Sequence, residues 1–163
     1  MRGWIVAIAL VAGACAPGVA RHDLPSCSGP SSAVVLMAQS VPDAALVPCI
    51  DSLRTGWSFR RLDATDERAS FALDSDRVGE RFLTVTFSDR CPGERGREVE
   101  SDEPGTRLFR DEVPSESDEY RARWTYEFEG GCVTYDFDAD GAESTPTAGY
   151  VADLLSFVEV EER

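Results

Sequence analysis

Nine residues from Tyr120 to Phe128, YRARWTYEF, alternate without a break. Tyr120, Ala122, Trp124, Tyr126 and Phe128 fall on one side of an extended chain. Arg121, Arg123, Thr125 and Glu127 fall on the other, because strand side chains alternate with a period of two. Glu129-Gly130-Gly131 then supplies turn residues, and Val133, Tyr135 and Phe137 resume the apolar side opposite Thr134 and Asp136. The pattern predicts a β-hairpin with one dry face and one wet face.

Upstream the same alternation recurs. Trp57 and Phe59 alternate with Ser58 and Arg60, Phe71 and Leu73 with Ser70, Ala72 and Asp74, and Leu83, Val85 and Phe87 with Thr84, Thr86 and Ser88. A weaker strand spans Arg107 to Val113. Pro92 to Thr106 and Pro114 to Glu119 read as loops, since Pro, Gly, Ser and acids dominate them. Two apolar runs flank this region. Ala33 to Gln39 fits a short buried helix capped by Ser31 or Ser32, or a buried strand, and periodicity does not separate the two over so few residues. Near the end, Thr145-Pro146 resembles a helix start, and Val151, Leu154, Leu155 and Val158 follow at helical spacing. That stripe predicts a helix lying over the dry face. The expected fold class is α+β: an antiparallel meander sheet of five or six strands packed by one or two helices. An all-β sandwich is the alternative if both apolar runs are strands.

The amino-terminal residues read as an address. Met1-Arg2 is a short positive start, and Gly3 to Ala14 is an apolar run of about a dozen residues, too short for a bilayer span of roughly 20. Ala12-Gly13-Ala14-Cys15 has the form of a lipobox, with Cys15 as the lipidated first residue of the mature chain and Ala12 where Leu or Val is usual. Cleavage after Ala20, giving a soluble secreted protein, is the competing reading; an uncleaved anchor is a third. Residues 1–20 are therefore a signal peptide, 21–32 a Pro-, Gly- and Ser-containing tether, and 33–160 a single stapled domain.

Five cysteines are present. With Cys15 assigned to lipid or removed with the leader, Cys27, Cys49, Cys91 and Cys132 remain. In an exported domain these read as two disulfides, with three pairings available. Cys27–Cys49 is favoured because it closes a local loop, and Cys91–Cys132 because it would join strand ends. No CxxC spacing supports zinc.

Composition removes several function classes. The 30 acids against 16 basic residues give a net charge of −14, which opposes binding to nucleic acid or an anionic bilayer by charge alone. The single histidine, His22, leaves no Ser–His–Asp or Cys–His device to assemble.

Val41-Pro42…Val47-Pro48-Cys49, Gly56-Trp57-Ser58-Phe59, Leu73-Asp74-Ser75-Asp76-Arg77, Ser101-Asp102-Glu103-Pro104-Gly105-Thr106-Arg107 and Gly130-Gly131-Cys132-Val133-Thr134-Tyr135 together resemble a family of small, mostly uncharacterised exported proteins and lipoproteins of actinobacteria. The likeness runs from about Val41 to Phe137. It implies a cell-envelope location and brings no active site to carry over.

Three patterns point to possible chemistry. Asp136, Asp138 and Asp140, followed by Gly141 and Glu143, match the first half of a calcium loop; the twelfth position is Thr147, not Glu. Arg60-Arg61, Arg95-Arg97 and Arg121-Arg123 suit bidentate contacts to a carboxylate or phosphate, although Arg121 and Arg123 face nearby acids. The acidic stretches Glu94–Glu103 and Asp111–Glu119 read as solvated loops. The functional expectation is a non-enzymatic envelope domain, membrane-attached through a lipid on Cys15, that binds a protein or small molecule and no nucleic acid. An extracytoplasmic calcium-binding module and a carboxylate-based hydrolase are the alternatives.

Overall fold

The five strands read from alternation, and the weaker one from Arg107 to Val113, belong to one antiparallel sheet. The computed structural model describes residues 19–21, 23–93, 96–113, 119–140 and 155–160. In chain order the elements are β1 (Val19–Arg21), α1 (Ser32–Ser40), β2 (Leu46–Ile50), β3 (Trp57–Thr65), β4 (Arg68–Ser75), β5 (Gly79–Ser88), β6 (Arg97–Val99), β7 (Arg107–Val113), β8 (Glu119–Phe128), β9 (Gly131–Asp140) and β10 (Leu155–Glu159). The large sheet has eight strands in the order β1-β3-β4-β5-β9-β8-β7-β6, and β10 pairs with β2 as a separate ribbon. The fold is thus richer in β structure than expected, with one short helix.

The order holds two meanders, β3-β4-β5 and β6-β7-β8-β9, joined by antiparallel pairing of β5 with β9 from Leu83↔Phe137 to Ser88↔Cys132. A single meander would have placed β6 beside β5. Instead the chain leaves β5 and crosses to the far edge. The Cys91–Cys132 disulfide fastens this crossing to the first turn of β9, with Cα atoms 5.6 Å apart. Cys27–Cys49 joins the segment before α1 to β2, with Cα atoms 5.0 Å apart. Both separations suit a disulfide, and both pairs are the favoured ones, the first as a local loop and the second as a link between strand ends.

Leu62, Phe71, Leu73, Leu83, Val85, Phe87, Trp124, Tyr126, Tyr135 and Phe137 are buried on one face of the sheet. Helix α1 starts because Ser31 accepts a hydrogen bond from the Val34 backbone N–H (3.4 Å), satisfying one of the free amides of its first turn. It lays Ala33 and Met37 on this face and leaves Val35 exposed. The β2–β10 ribbon covers the other half, where the Phe157 ring lies 5.4 Å from Tyr126 and 5.9 Å from Phe128. Gly130, at φ +77°, turns β8 into β9, and a Cβ there would meet the Asp43 carbonyl oxygen at 1.7 Å. Glycine is required twice at that position, for its φ and for the close approach.

Two expectations are corrected. Leu155 and Val158 lie on strand β10, not on a helix; pairing with β2 (Leu155↔Ile50 to Glu159↔Leu46) takes precedence over the helical spacing. Thr145, Pro146, Val151 and Leu154 lie outside the described residues. The stretch read as a tether, 21–32, is also partly built into the fold: Arg21 pairs with Leu62 of β3, Pro25 is buried, and Ser26 bridges Ile50; Val19 and Ala20, from the stretch read as signal peptide, extend the same pairing.

Phe137 contacts Phe82, Tyr120, Trp124 and Tyr135 through ring pairs with centroids 5.0–6.5 Å apart. Replacing Phe137 by Ala is expected to lower unfolding stability in urea by about 3–5 kcal/mol. Val35→Ala on the exposed side of α1 should change it by no more than about 0.5 kcal/mol.

Candidate functional site

The uncovered face of the sheet carries the polar residues, and at its β3–β4–β5 end two bulges deform it at the same level. In β3 the register slips between Phe59 and Leu62, so Arg60 and Arg61 together oppose Ala72. In β5 the slip opposite Asp74 accommodates Glu80, Arg81 and Phe82 between the pairs Ser75↔Gly79 and Leu73↔Leu83. Arg81 takes φ +55°, a left-handed conformation uncommon for a residue with a Cβ. That kink lets Phe82 as well as Leu83 be fully buried. Bulges re-aim side chains, and here they raise three arginines around one patch.

Asp74 holds both bulges. Its Oδ1 accepts from Arg60 Nε at 2.8 Å and from the Arg81 backbone N–H at 2.7 Å. The Arg60 guanidinium also donates to Glu80 through Nη2. Burial opposes ionisation of Asp74, but the Arg60 guanidinium and the Arg81 amide outweigh it and hold the carboxyl below its usual range. Arg61 donates through Nε to Asp63 at 2.9 Å. The Arg81 guanidinium is exposed and has no ion-pair partner among the described residues. Arg60, Arg61 and Arg81 wall an open cup of ≈ 530 Å³ whose floor includes Ser70, Ala72 and Thr84.

Other sequence-predicted residues are distributed differently. Asp136 pairs with Arg123 (2.6 Å) and Asp138 with Arg121 (3.5 Å) across β8 and β9, so these charges form a cross-strand ladder. Strand β9 continues through Asp140, and Glu143 and Thr147 lie outside the described residues. The backbone at Asp136 and Asp138 is therefore straight where a calcium loop would wrap. Among the described residues no group of three or more His, Cys, Asp or Glu is placed to share a metal ion. Cys15, His22 and Arg95 lie outside the described residues. Arg97 begins the edge strand β6, away from the cup.

The covered face holds a second polar feature. Arg110 stacks on Trp124 with its guanidinium carbon 4.0 Å from the ring centre, and Arg110 Nε and Trp124 Nε1 are both buried without a hydrogen-bond partner. Beside them the Tyr126 hydroxyl donates to Asp102 Oδ1 at 3.3 Å. Burial, then Asp102 and Asp51, push the Glu103 carboxyl above its usual range. Burial, then Glu112, push the Tyr120 phenol up to about 12.

Arg60 and Arg61 were visible as a candidate pair; Asp74 and Arg81 were not. The available signal was a broken period, since Phe59 and Leu62 are three apart and Phe82 and Leu83 are adjacent. No family model, no curated protein and no solved structure matches the chain.

Asp74 and Glu103 should respond to pH in opposite senses. The lowered carboxyl of Asp74 stabilises the fold above the ordinary carboxylate range, near pH 4, and that contribution is lost as pH falls through the folded value. The raised carboxyl of Glu103 does the reverse, with stability present at low pH and lost on ionisation. At pH 7, Asp74→Asn is expected to lower Tm and Glu103→Gln to raise it, each by roughly 1–4 °C. In thermal melts recorded toward pH 2–3, both differences should shrink to about zero.

Proposed function

We propose that the chain is an exported cell-envelope domain, held at the outer face of the cytoplasmic membrane by a lipid on Cys15, and that it acts by binding. The observation that carries the reading is the pair of disulfides, Cys27–Cys49 and Cys91–Cys132, which persist in an oxidising, extracytoplasmic compartment. Two disulfides in one domain contribute about 2–4 kcal/mol each, largely by restricting the unfolded chain, so a reducing cytosol would deprive the fold of a large share of its margin.

The position of β1 supports cleavage before Cys15 over cleavage after Ala20. Val19, Ala20 and Arg21 pair with Ala64, Asp63 and Leu62. A cut after Ala20 would remove two of the three residues of this edge strand and expose the backbone of β3 along its unpaired side. A cut before Cys15 keeps β1 whole and leaves Ala16, Pro17 and Gly18 between the lipid and the sheet. Such a linker spans at most about 14 Å when extended, so the domain would sit close to the bilayer surface. The same location agrees with the resemblance to exported actinobacterial lipoproteins.

Intact mass of the native protein tests the reading. The expected mass is that of a chain beginning at Cys15, increased by a diacylglycerol and decreased by four hydrogens for two disulfides. Cys15→Ala should move the protein from the membrane fraction to the medium. A soluble native protein beginning at Arg21, or full-length chain with all five thiols free in the cytosol, overturns it.

A further inference from the structure

We propose that the arginine cup on the uncovered face binds a single small oxyanion, a phosphate or carboxylate group. The inference names a ligand class for the binding role above, and it does not depend on the lipid anchor. Three arginines line it together with the hydroxyls of Ser70 and Thr84; Ala72 and Phe71 complete the lining, and its one acid, Asp63, is paired with Arg61. The guanidinium fork matches planar carboxylate and phosphate oxygens in pairs, a geometry a lone ammonium cannot supply.

The cup is organised by its own side chains. Arg60 is fixed by Asp74 and Glu80, and so serves as a fixed wall. The Arg81 backbone is pinned by the Asp74 carboxylate in its left-handed conformation, and its exposed side chain lines the cup with no ion pair among the described residues. Arg61 uses its Nε on Asp63, and its side chain remains 58% exposed. Elsewhere on that face Arg121 pairs with Asp138, Arg123 with Asp136 and Arg107 with Glu98, and Arg68 rests on the Thr86 hydroxyl. Arg81 is set apart by its place beside two other arginines in one cup.

The charge of the whole chain limits the ligand's size. A polyanion extending beyond the cup would meet a molecule of net charge −14, and repulsion would cancel the local attraction. One oxyanion group seated among the arginines avoids that cost. Solvent screening at an open site sets the affinity near the millimolar range.

The disulfide-intact protein is titrated with inorganic phosphate and, separately, with acetate, at ionic strength held constant with chloride, while the arginine Nε–Hε resonances are followed by NMR. The expected result is a saturable shift at Arg60, Arg61 and Arg81 with Kd on the order of 1 mM. The anion that saturates at the lower concentration identifies phosphate or carboxylate as the preferred group. Arg61→Gln and Arg81→Asn should each weaken binding by about tenfold. Both keep the fold, because Arg61 is at the surface and Asn tolerates a left-handed backbone. Arg107→Gln on β7 should leave binding unchanged. No saturable shift up to roughly 50 mM of either anion, shifts centred on arginines outside the cup, or undiminished binding in the two cup variants would overturn the proposal. None of these outcomes bears on where the protein is anchored, which the mass and fractionation measurements decide separately.

Discussion

The pairing of β5 with β9 is the contact on which the rest of the structure depends. Residues Leu83–Ser88 meet Cys132–Phe137 across a long intervening sequence, and no local hairpin brings them together. Without that seam each meander would present an unpaired strand rich in Leu, Val, Phe and Tyr. With it, Phe82, Phe137 and Trp124 become one continuous aromatic layer under α1 and the β2–β10 ribbon. Closing so distant a contact carries a loop-entropy cost and slows folding. The Cys91–Cys132 disulfide lies at the end of the seam, beside the pair Ser88↔Cys132. It restricts the chain where that cost falls, which ties the fold to a compartment in which the bond forms.

Legibility in the sequence follows the same division between local and distant constraints. The five strands with clear alternation were readable because each has one face in the core and one in water, and hairpin order followed from turn residues such as Gly130. The β5–β9 adjacency was not readable, since alternation says which face is buried and nothing about which strand lies beside it. The C-terminal stripe misled for a related reason. Leu155 and Val158 satisfy a helical spacing, but the strand Leu46–Ile50 needs a partner, and Pro48 disguised that strand as a break. Proline is tolerated there because β2 has a regular strand on only one side.

The arginine cup was half legible. Adjacent arginines at 60 and 61 drew attention as a charged pair, but what shapes them is a register slip, seen only when β4 is laid beside β3. Arg81 carries no sequence signal beyond the crowding of Phe82 against Leu83. Its conformation is produced by a tertiary demand: two consecutive aromatic and aliphatic side chains must both enter the core, so the residue before them absorbs the turn. Asp74 then supplies the acceptor that the bulged strand no longer provides to the Arg81 amide. A packing requirement on the dry face thus creates an unneutralised cation on the wet one.

The cross-strand charges on that wet face are insufficient to set the β8–β9 register. Arg121 and Arg123 face Asp138 and Asp136, yet a slip of two residues would place them opposite Asp140 and Asp138 with the same charge complementarity. Exposed pairs of this kind are worth little individually, so the ladder alone would permit both registers. What separates them lies on the other face and in the turn. The slip would carry Trp124 from Tyr135 to Phe137 and Tyr126 from Val133 to Tyr135, forcing large rings onto positions already filled. It would also displace Gly130 from the Asp43 carbonyl, where no other residue fits. The aromatic layer and one glycine therefore choose the register, and the arginine–aspartate ladder balances charges within the register so chosen. Arg81 departs from that arrangement, set beside Arg60 and Arg61 in one cup instead of opposite an acid.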